Sequence, residues 1–456
     1  MRVVTKDTGF NPCDFSNDER NTVRNISQDK MSMSTSDKPL DVVIVGGSLA
    51  GLMHGIMIKR LGHNVRILEQ HPSSSRDGEA AGITVGDQVQ EFFEKYDLIT
   101  EPYAVDVTAT QILDSEFKTL VFRELPWKAT SWSTLYHRLR ANFDGYSSKY
   151  VPDPPKLPVG DGEGIFDIGK RVTNVTSSNG GVKLKFEDSI TGQGGSLWAD
   201  LVIAADGSKS SIRKLLCPQV QMPYAGYLTW RATIPEDTVS EETRRAYDGL
   251  FTFYELEKSY FVVYVVPGEN GSVKPGERYI NFVWYYNCSG DSKEFAEIMT
   301  DVDGHRHRST LPPGKIRPEV WARQQAKGRQ LLAAPVRELV EIIKVPFVTA
   351  VSDFRAPQAC FLDSKLLLVG DALSLFRPHI AQSTNQSATD CLLLEKVFTG
   401  DMEISQWEKE VMQYAHMTRL QSNVFGTKRM SGYWVYLYHA FRYRVAAVAK
   451  RWGFIL

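Results

Sequence analysis

The sequence lacks the cysteine pattern of a disulfide scaffold or a zinc site. Its five cysteines, Cys13, Cys217, Cys288, Cys360 and Cys391, lie far apart, show no CxxC spacing and leave one necessarily unpaired. A reducing, cytoplasmic setting without a bound metal is expected. It also lacks an excess of charge of either sign: 53 Lys and Arg stand against 54 Asp and Glu, a formal net charge of −1, so no global field attracts nucleic acid. No apolar run approaches the roughly 20 residues that cross a bilayer. The first 38 residues, rich in Ser, Asp, Asn, Thr and Lys, hold no apolar stretch of signal-peptide length and read as a disordered leader, dispensable up to Met31. The chain carries no internal repeat.

One local absence stands out. After Glu410 there is no acidic residue, while Arg419, Lys428, Arg429, Arg442, Arg444, Lys450 and Arg451 interleave with aromatics. Two readings stay open: a helical tail packing Trp434, Tyr436, Tyr438 and Phe441 on the body, or a peripheral contact with a membrane surface.

What is present is α/β patterning. A chain of 456 residues exceeds one simple core and has room for a cofactor. Leu40–Val45 is a β-branched run of buried-strand type, followed by a glycine-rich break, helical spacing of Leu52, Met53, Ile56 and Ile58 from Leu49 to Leu61, and a second strand at Val65–Glu69. Together these make a βαβ unit. Asp200–Ala204 and Leu366–Val369 repeat the buried-strand pattern, Pro152–Gly164 is a loop, and helical patterning dominates from Ala388. Between Tyr224 and Asn287 the composition shifts to strands dense in Tyr, Trp, Phe and Val, which predicts a second, antiparallel sheet. The expected organisation is a Rossmann-like domain over 39–217, a substrate sheet domain over 218–345, a closing part of the first domain over 346–400, and a helical segment over 401–456.

Gly46-Gly47-Ser48-Leu49-Ala50-Gly51 sits between the first strand and the first helix, where a dinucleotide fingerprint belongs, with Ser48 at the middle glycine position. Such a turn lets backbone N–H groups and a helix N-terminus approach a pyrophosphate, and its last glycine allows close packing of helix on strand. Glu69 closes the second strand about 20 residues on, where a carboxylate can accept from ribose hydroxyls. Two further turns follow buried strands: Asp206-Gly207, and Gly370-Asp371 with Pro378 beyond it. Either alone is an ordinary turn; their order is informative. No second strand-turn-helix nucleotide motif follows, so a second tightly held nucleotide is not expected.

This set resembles the class A flavoprotein monooxygenases, of the para-hydroxybenzoate hydroxylase type, from Leu40 to about Phe398. Within them, Gly46-Gly47-Ser48, Tyr224–Arg231, Asn281–Asn287 and Arg377-Pro378-His379 are most similar to the 2,6-dihydroxypyridine 3-monooxygenase branch. The resemblance implies bound FAD, NADH or NADPH as a transient co-substrate, O₂, and hydroxylation of a small aromatic or heteroaromatic ring through a flavin hydroperoxide. It implies that Gly46 to Gly51 and Glu69 hold the ADP half, that Gly82, Asp206 and Gly207 approach the flavin, that Gly370 and Asp371 hold the ribityl and pyrophosphate region, and that Pro378, Ala381, Gln382 and Ser383 form the floor of the reaction chamber. Ser374, Ala381 and Ser383 depart from the family's His and glycines, and Trp132 stands where the family has an arginine, with Arg138 and Arg140 as substitutes.

The candidates for chemistry are Tyr254 and Tyr264 as hydroxyl partners of the substrate, His379 as a proton relay because an imidazole ordinarily titrates near neutrality, and Arg231 as a grip on an anionic substrate or the flavin. The plain alternatives are buried structural tyrosines, a satisfied loop histidine and a surface ion pair. Because strand Phe261–Val266 carries no Arg or Lys, a neutral phenol, hydroxypyridine or indole-like ligand is favoured. Rival activities are a flavin dehydrogenase or oxidase, an epoxidase of a secondary metabolite, and a flavin-binding scaffold without turnover. Oligomeric state is not legible.

Overall fold

A computed structural model describes residues 38–73 and 81–452; the leader expected over the first 38 residues lies outside them, except for Lys38. Two large sheets organise the chain. The first has six strands in the order Cys360–Phe361, Leu366–Leu368, Leu201–Ala204, Asp41–Val45, Asn64–Leu68, Gly164–Asp167, all parallel except the short first edge. Val42 to Val45 and Leu201 to Ala204 are almost entirely inaccessible, as both faces of a parallel sheet should be. The helix Leu49–Arg60 is buried without interruption from Gly51 to Lys59, which explains its all-round apolar sequence. It passes between the sheet and the helices Trp132–Asp144 and Ser383–Phe398.

The second sheet has nine strands and one parallel joint, Leu250–Leu256 beside Val105–Leu113. It extends beyond 218–345, taking Gly82–Val85, Val105–Leu113 and Thr119–Ser131 from earlier in the chain and Phe347–Ser352 from later. The two domains therefore interleave. At its centre Tyr224–Pro235, Tyr279–Asn287, Ser259–Val266 and Leu250–Leu256 lie side by side.

Registry sorts these strands into two faces. Arg231 pairs with Val283, Val283 with Val262, Tyr264 with Asn281, and Tyr260 with Tyr285, so Tyr227, Thr229, Arg231, Tyr260, Val262, Tyr264, Val283 and Tyr285 share one face. The opposite face, with Trp230, Phe261, Phe282 and Trp284, is covered by residues of Pro318–Leu331 and Ala334–Ile342, including Val320, Trp321, Val336 and Leu339. The helix Ile404–Met430 runs along the first face, where Phe425 and Met430 pack on Phe253 and its neighbours.

Candidate active site

One cavity of about 350 Å³ joins the glycine turn to the inner face of the large sheet. Ser48, Leu49 and Ala50 line one end; Arg231, Phe251, Val262, Tyr264, Val283 and Tyr285 line the other; Gly82, Trp132, Gly207, Asp371, Pro378, His379, Ala381 and Ser383 close the sides. Turns that follow strands of the first sheet converge here with strands of the second.

The turn is built for close backbone approach. Gly46 has φ +104°, and a Cβ there would lie 2.3 Å from the Ala205 carbonyl oxygen. A Cβ at Gly51 would lie 1.9 Å from the Gly46 carbonyl oxygen. Ser48 caps the helix only through its backbone, its side chain making no capping bond, and the first turn holds no acid, which leaves amides and a positive helix end for an anion. The Ser48 hydroxyl instead accepts from Trp132 Nε1 at 3.3 Å. Glu69 accepts the Gly47 and His71 amides at 2.8 and 2.7 Å, so it pins the turn.

The two acidic turns differ. Asp206 does not line the cavity; its Oδ2 accepts the Ser211 and Ile212 amides at 2.8 and 3.3 Å, at the start of the short helix Ser211–Leu216, while its neighbours Ala205 and Gly207 do reach the cavity. Asp371 lines the cavity, half-buried, with its Oδ1 buried and lacking any hydrogen-bond partner. Gly370 stands behind it, its amide donating to Asp390 at 2.8 Å. Burial pushes the Asp371 carboxyl up to about 6, against the pull of the Ser383 hydroxyl and the Arg213 guanidinium. A buried carboxylate oxygen without a donor is costly, and hydroxyl donors of a ribityl chain would satisfy it. The cradle of amides, the crowded glycines and this orphaned oxygen fit FAD.

The loop over Pro378–Ser383 is tightly held. Ala381 occupies the left-handed region, φ +51°, a conformation costing a non-glycine residue about 1–2 kcal/mol, and its carbonyl accepts the Thr84 hydroxyl at 3.1 Å. Gln382 does not line the cavity; its side-chain oxygen accepts from Asn385 and Tyr414. Ser374 is buried and donates to the Phe354 carbonyl at 2.9 Å, a strand-joining role that needs no imidazole.

Three candidates for chemistry line the cavity and one does not. Tyr264 stacks on Phe251 with ring centroids 4.7 Å apart, and its hydroxyl lies against Gly82, where a Cβ would come within 2.6 Å of it. Burial raises its pKa to about 12, with Arg231 pulling the other way, so it remains a protonated donor at neutral pH. Arg231 forms no ion pair among the described residues; its Nε is buried without a partner, and the guanidinium lies 5.4 Å from the Phe347 ring centroid. No surface ion pair is found for it among the described residues, and a strand without basic residues does not leave the cavity without a cation, because a neighbouring strand supplies it.

Tyr254 lies on the opposite face. Its hydroxyl donates to the Ser115 carbonyl at 2.8 Å and accepts the Ala333 amide at 3.2 Å, and its ring packs on Phe261 and Phe117. It pairs with Phe261, one step out of phase with Phe253 opposite Val262. Tyr254→Phe should therefore change turnover less than about twofold while costing about 1–2 kcal/mol of stability; a tenfold loss of turnover at unchanged stability would return Tyr254 to the site.

His379 departs from expectation in its chemistry. Nε2 lies 2.5 Å from the Tyr227 hydroxyl, and Nδ1 is hydrogen-bonded to the Tyr260 hydroxyl. Burial, then Arg377 and Arg429, hold its pKa well below the ordinary value, so the ring is neutral, and one tyrosine donates to it while the other accepts. Both nitrogens are engaged, and His379 is no free base titrating near neutrality. Tyr260 stacks on the cavity-lining Tyr285 with centroids 4.3 Å apart. His379→Ala would unpair two buried hydroxyls and should cost about 2–4 kcal/mol in urea unfolding; a loss below about 1 kcal/mol would show that the three-membered network does not stabilise the fold.

Sequence reasoning passed over Tyr285 and the Tyr227–Tyr260 pair as site residues, although all three share the phase of Arg231 and Tyr264; registry was the missing signal. Arg138 and Arg140 do not reach the cavity: Arg138 binds Asp97 and the Ile99 and Glu101 carbonyls, and Arg140 pairs with Asp144 at 2.7 Å.

Residues 39–88, which include the glycine turn and Glu69, match the FAD binding domain family, and residues 224–353 match the FAD binding domain-like family. A 2,6-dihydroxypyridine 3-monooxygenase of Paenarthrobacter nicotinovorans is 26% identical over 82% of this chain and 88% of its own. The chain is similar to the class A FAD-dependent monooxygenases. A salicylate hydroxylase of Pseudomonas putida is 25% identical over 81% of this chain and 80% of its own. The solved structure of 2,6-dihydroxypyridine-3-hydroxylase from Arthrobacter nicotinovorans shares the fold of this monooxygenase, with a TM-score of 0.74 at 24% identity over 87% of this chain and 94% of the other.

Proposed function

We propose that this monooxygenase uses NAD(P)H and O₂ to add one oxygen atom to a small electron-rich aromatic or heteroaromatic ring that binds as an anion or carries an acidic ring hydroxyl. The observation that carries this reading is the Arg231 guanidinium, without an ion pair among the described residues, beside the Tyr264 hydroxyl in an aromatic cavity continuous with the glycine turn. Gly46 to Gly51, Glu69, Gly82, Gly207, Asp371, Pro378, Ala381 and Ser383 would hold FAD. When bound, FAD accepts hydride from the nicotinamide and activates O₂ for transfer of one atom to the ring, the other leaving as water.

The chain's own part is positioning and charge. Arg231 stabilises negative charge on a ring oxygen, which lowers the pKa of the ring hydroxyl and enriches the carbon beside it in electrons. Tyr264 donates a hydrogen bond to the same region. Phe251, Val262, Val283 and Tyr285 hold the ring by apolar contact and keep water out, and the neutral His379 bonded to Tyr227 and Tyr260 fixes the wall behind them. The neighbouring relatives named for hydroxypyridine, hydroxynicotinate and salicylate support rings of this class.

The test is a screen of hydroxypyridines, phenols and aromatic carboxylates for stimulated NADPH or NADH oxidation by the purified chain, with product mass. One ligand should accelerate oxidation at least about tenfold and yield a product heavier by one oxygen. Stimulated oxidation that yields only hydrogen peroxide, or a dehydrogenated product, with every ligand would favour an oxidase or dehydrogenase.

A further inference from the structure

The helix Tyr433–Arg451 packs on Ile404–Met430 through a narrow inner face, with Ala446 its one buried residue. Its outer face is the more apolar one. Trp434, Tyr438, Phe441, Val445, Val448 and Trp452 follow one another at steps of four and three residues, which places them in a single stripe along the helix. Every one is exposed, Trp434 by 80%, Phe441 by 68% and Trp452 by 76%. The tail reading in which Trp434, Tyr438 and Phe441 pack on the body is thus corrected: these rings face outward because the inner face is already filled by the opposite side of the helix.

The charges flanking the stripe narrow what can cover it. Arg442 lies on one side, with Arg444 and Arg451 on the other at the helical angle, and the helix contains no Asp or Glu. Two acids nearby are already engaged: the buried Asp353 with Arg377 and Arg419, and Glu255 with Arg429. A second copy meeting stripe to stripe would bring arginine rims together with no carboxylate on either helix to separate them. An apolar ridge bearing tryptophans between two rows of arginine has the chemistry of the lipid headgroup boundary, where indoles sit at the interface and guanidinium groups meet phosphate. Among the described residues no helix is long and apolar enough to cross a membrane, and this helix, about 28 Å long at 1.5 Å per residue, would lie flat.

We propose that the outer face of Tyr433–Arg451 docks the enzyme on an anionic phospholipid surface. The experiment uses the FAD-loaded full chain with vesicles of phosphatidylcholine alone or mixed with phosphatidylserine. The chain should sediment with the mixed vesicles at least about tenfold better than with the neutral ones, and less so as salt rises. Trp434→Ser, Phe441→Ser and Trp452→Ser together should abolish sedimentation while flavin content and ligand-stimulated NAD(P)H oxidation stay at the native level; Arg442→Glu, Arg444→Glu and Arg451→Glu should do the same. Failure of the native chain to sediment with the mixed vesicles would overturn the proposal, as would sedimentation that survives both sets of substitutions. A native dimer that becomes a monomer in the triple serine variant, with no vesicle binding, would assign the face to a second copy instead.

Discussion

Gly51→Ala should yield a folded but nearly colourless protein. The added Cβ would stand 1.9 Å from the Gly46 carbonyl oxygen and 3.3 Å from Ile44 Cγ2, and the first of these is backbone. It cannot swing aside as a side-chain tip could. Relief requires lifting the start of the helix Leu49–Arg60 off the strand Asp41–Val45, which withdraws the helix amides from the place a pyrophosphate would occupy. Overpacking of this kind costs about 1–3 kcal/mol, and at 1.4 kcal/mol per factor of ten the upper end lowers FAD affinity by about a hundredfold. Flavin absorbance per polypeptide after gel filtration, followed by titration with FAD, measures it. Circular dichroism should show the α/β signature retained. If Gly51→Ala carries stoichiometric FAD at native affinity, the turn is not the pyrophosphate site.

The second large effect is expected at Arg231. Its guanidinium is the cavity's cation, in no ion pair among the described residues, and a charge-assisted bond to an anionic ring oxygen contributes about 1.5–3 kcal/mol. Arg231→Ala should lower kcat/KM for the identified substrate by about ten- to a hundredfold, with FAD content unchanged. Arg231→Lys should recover part of the loss, since a point charge survives where the planar fork does not. The decisive readout is the dependence on substrate charge: a neutral analogue lacking the acidic hydroxyl or carboxylate should lose little on the same substitution. Equal losses for charged and neutral ligands would assign Arg231 to the flavin.

Much of this enzyme is legible along the chain because local chemistry encodes it. A β-branched run, a turn whose glycines admit no side chain, an apolar helix and an acid at the next strand end lie within about thirty residues, and each requirement is met by neighbours in sequence. The same holds for Gly370-Asp371 and for the loop at Pro378, where proline and short side chains mark the turn. Even the substitution of Ala381 for a family glycine leaves the left-handed backbone in place, at a cost in strain that the Thr84 bond offsets.

The reaction wall is different in kind. Strands Leu250–Leu256 and Ser259–Val266 are buried on both faces, by the cavity on one side and by helices on the other, so no polar alternation marks which residues look inward. Tyr254 and Tyr264 are indistinguishable as letters in such strands; a difference of phase sends one to a backbone carbonyl under a helix and the other to the cavity. His379 draws its neutrality first from burial that no local pattern records and then from Arg377 and Arg429, while its hydrogen-bond partners Tyr227 and Tyr260 lie more than a hundred residues away. The residues alone determined the glycine turn of a dinucleotide type and the succession of two sheets, since these depend on short-range backbone geometry, while FAD followed from the family resemblance. Which side chains share the chamber, which histidine nitrogens are free and which aromatics of the last helix meet solvent were decided only when strands distant in sequence paired, because registry and burial are properties of the assembled whole.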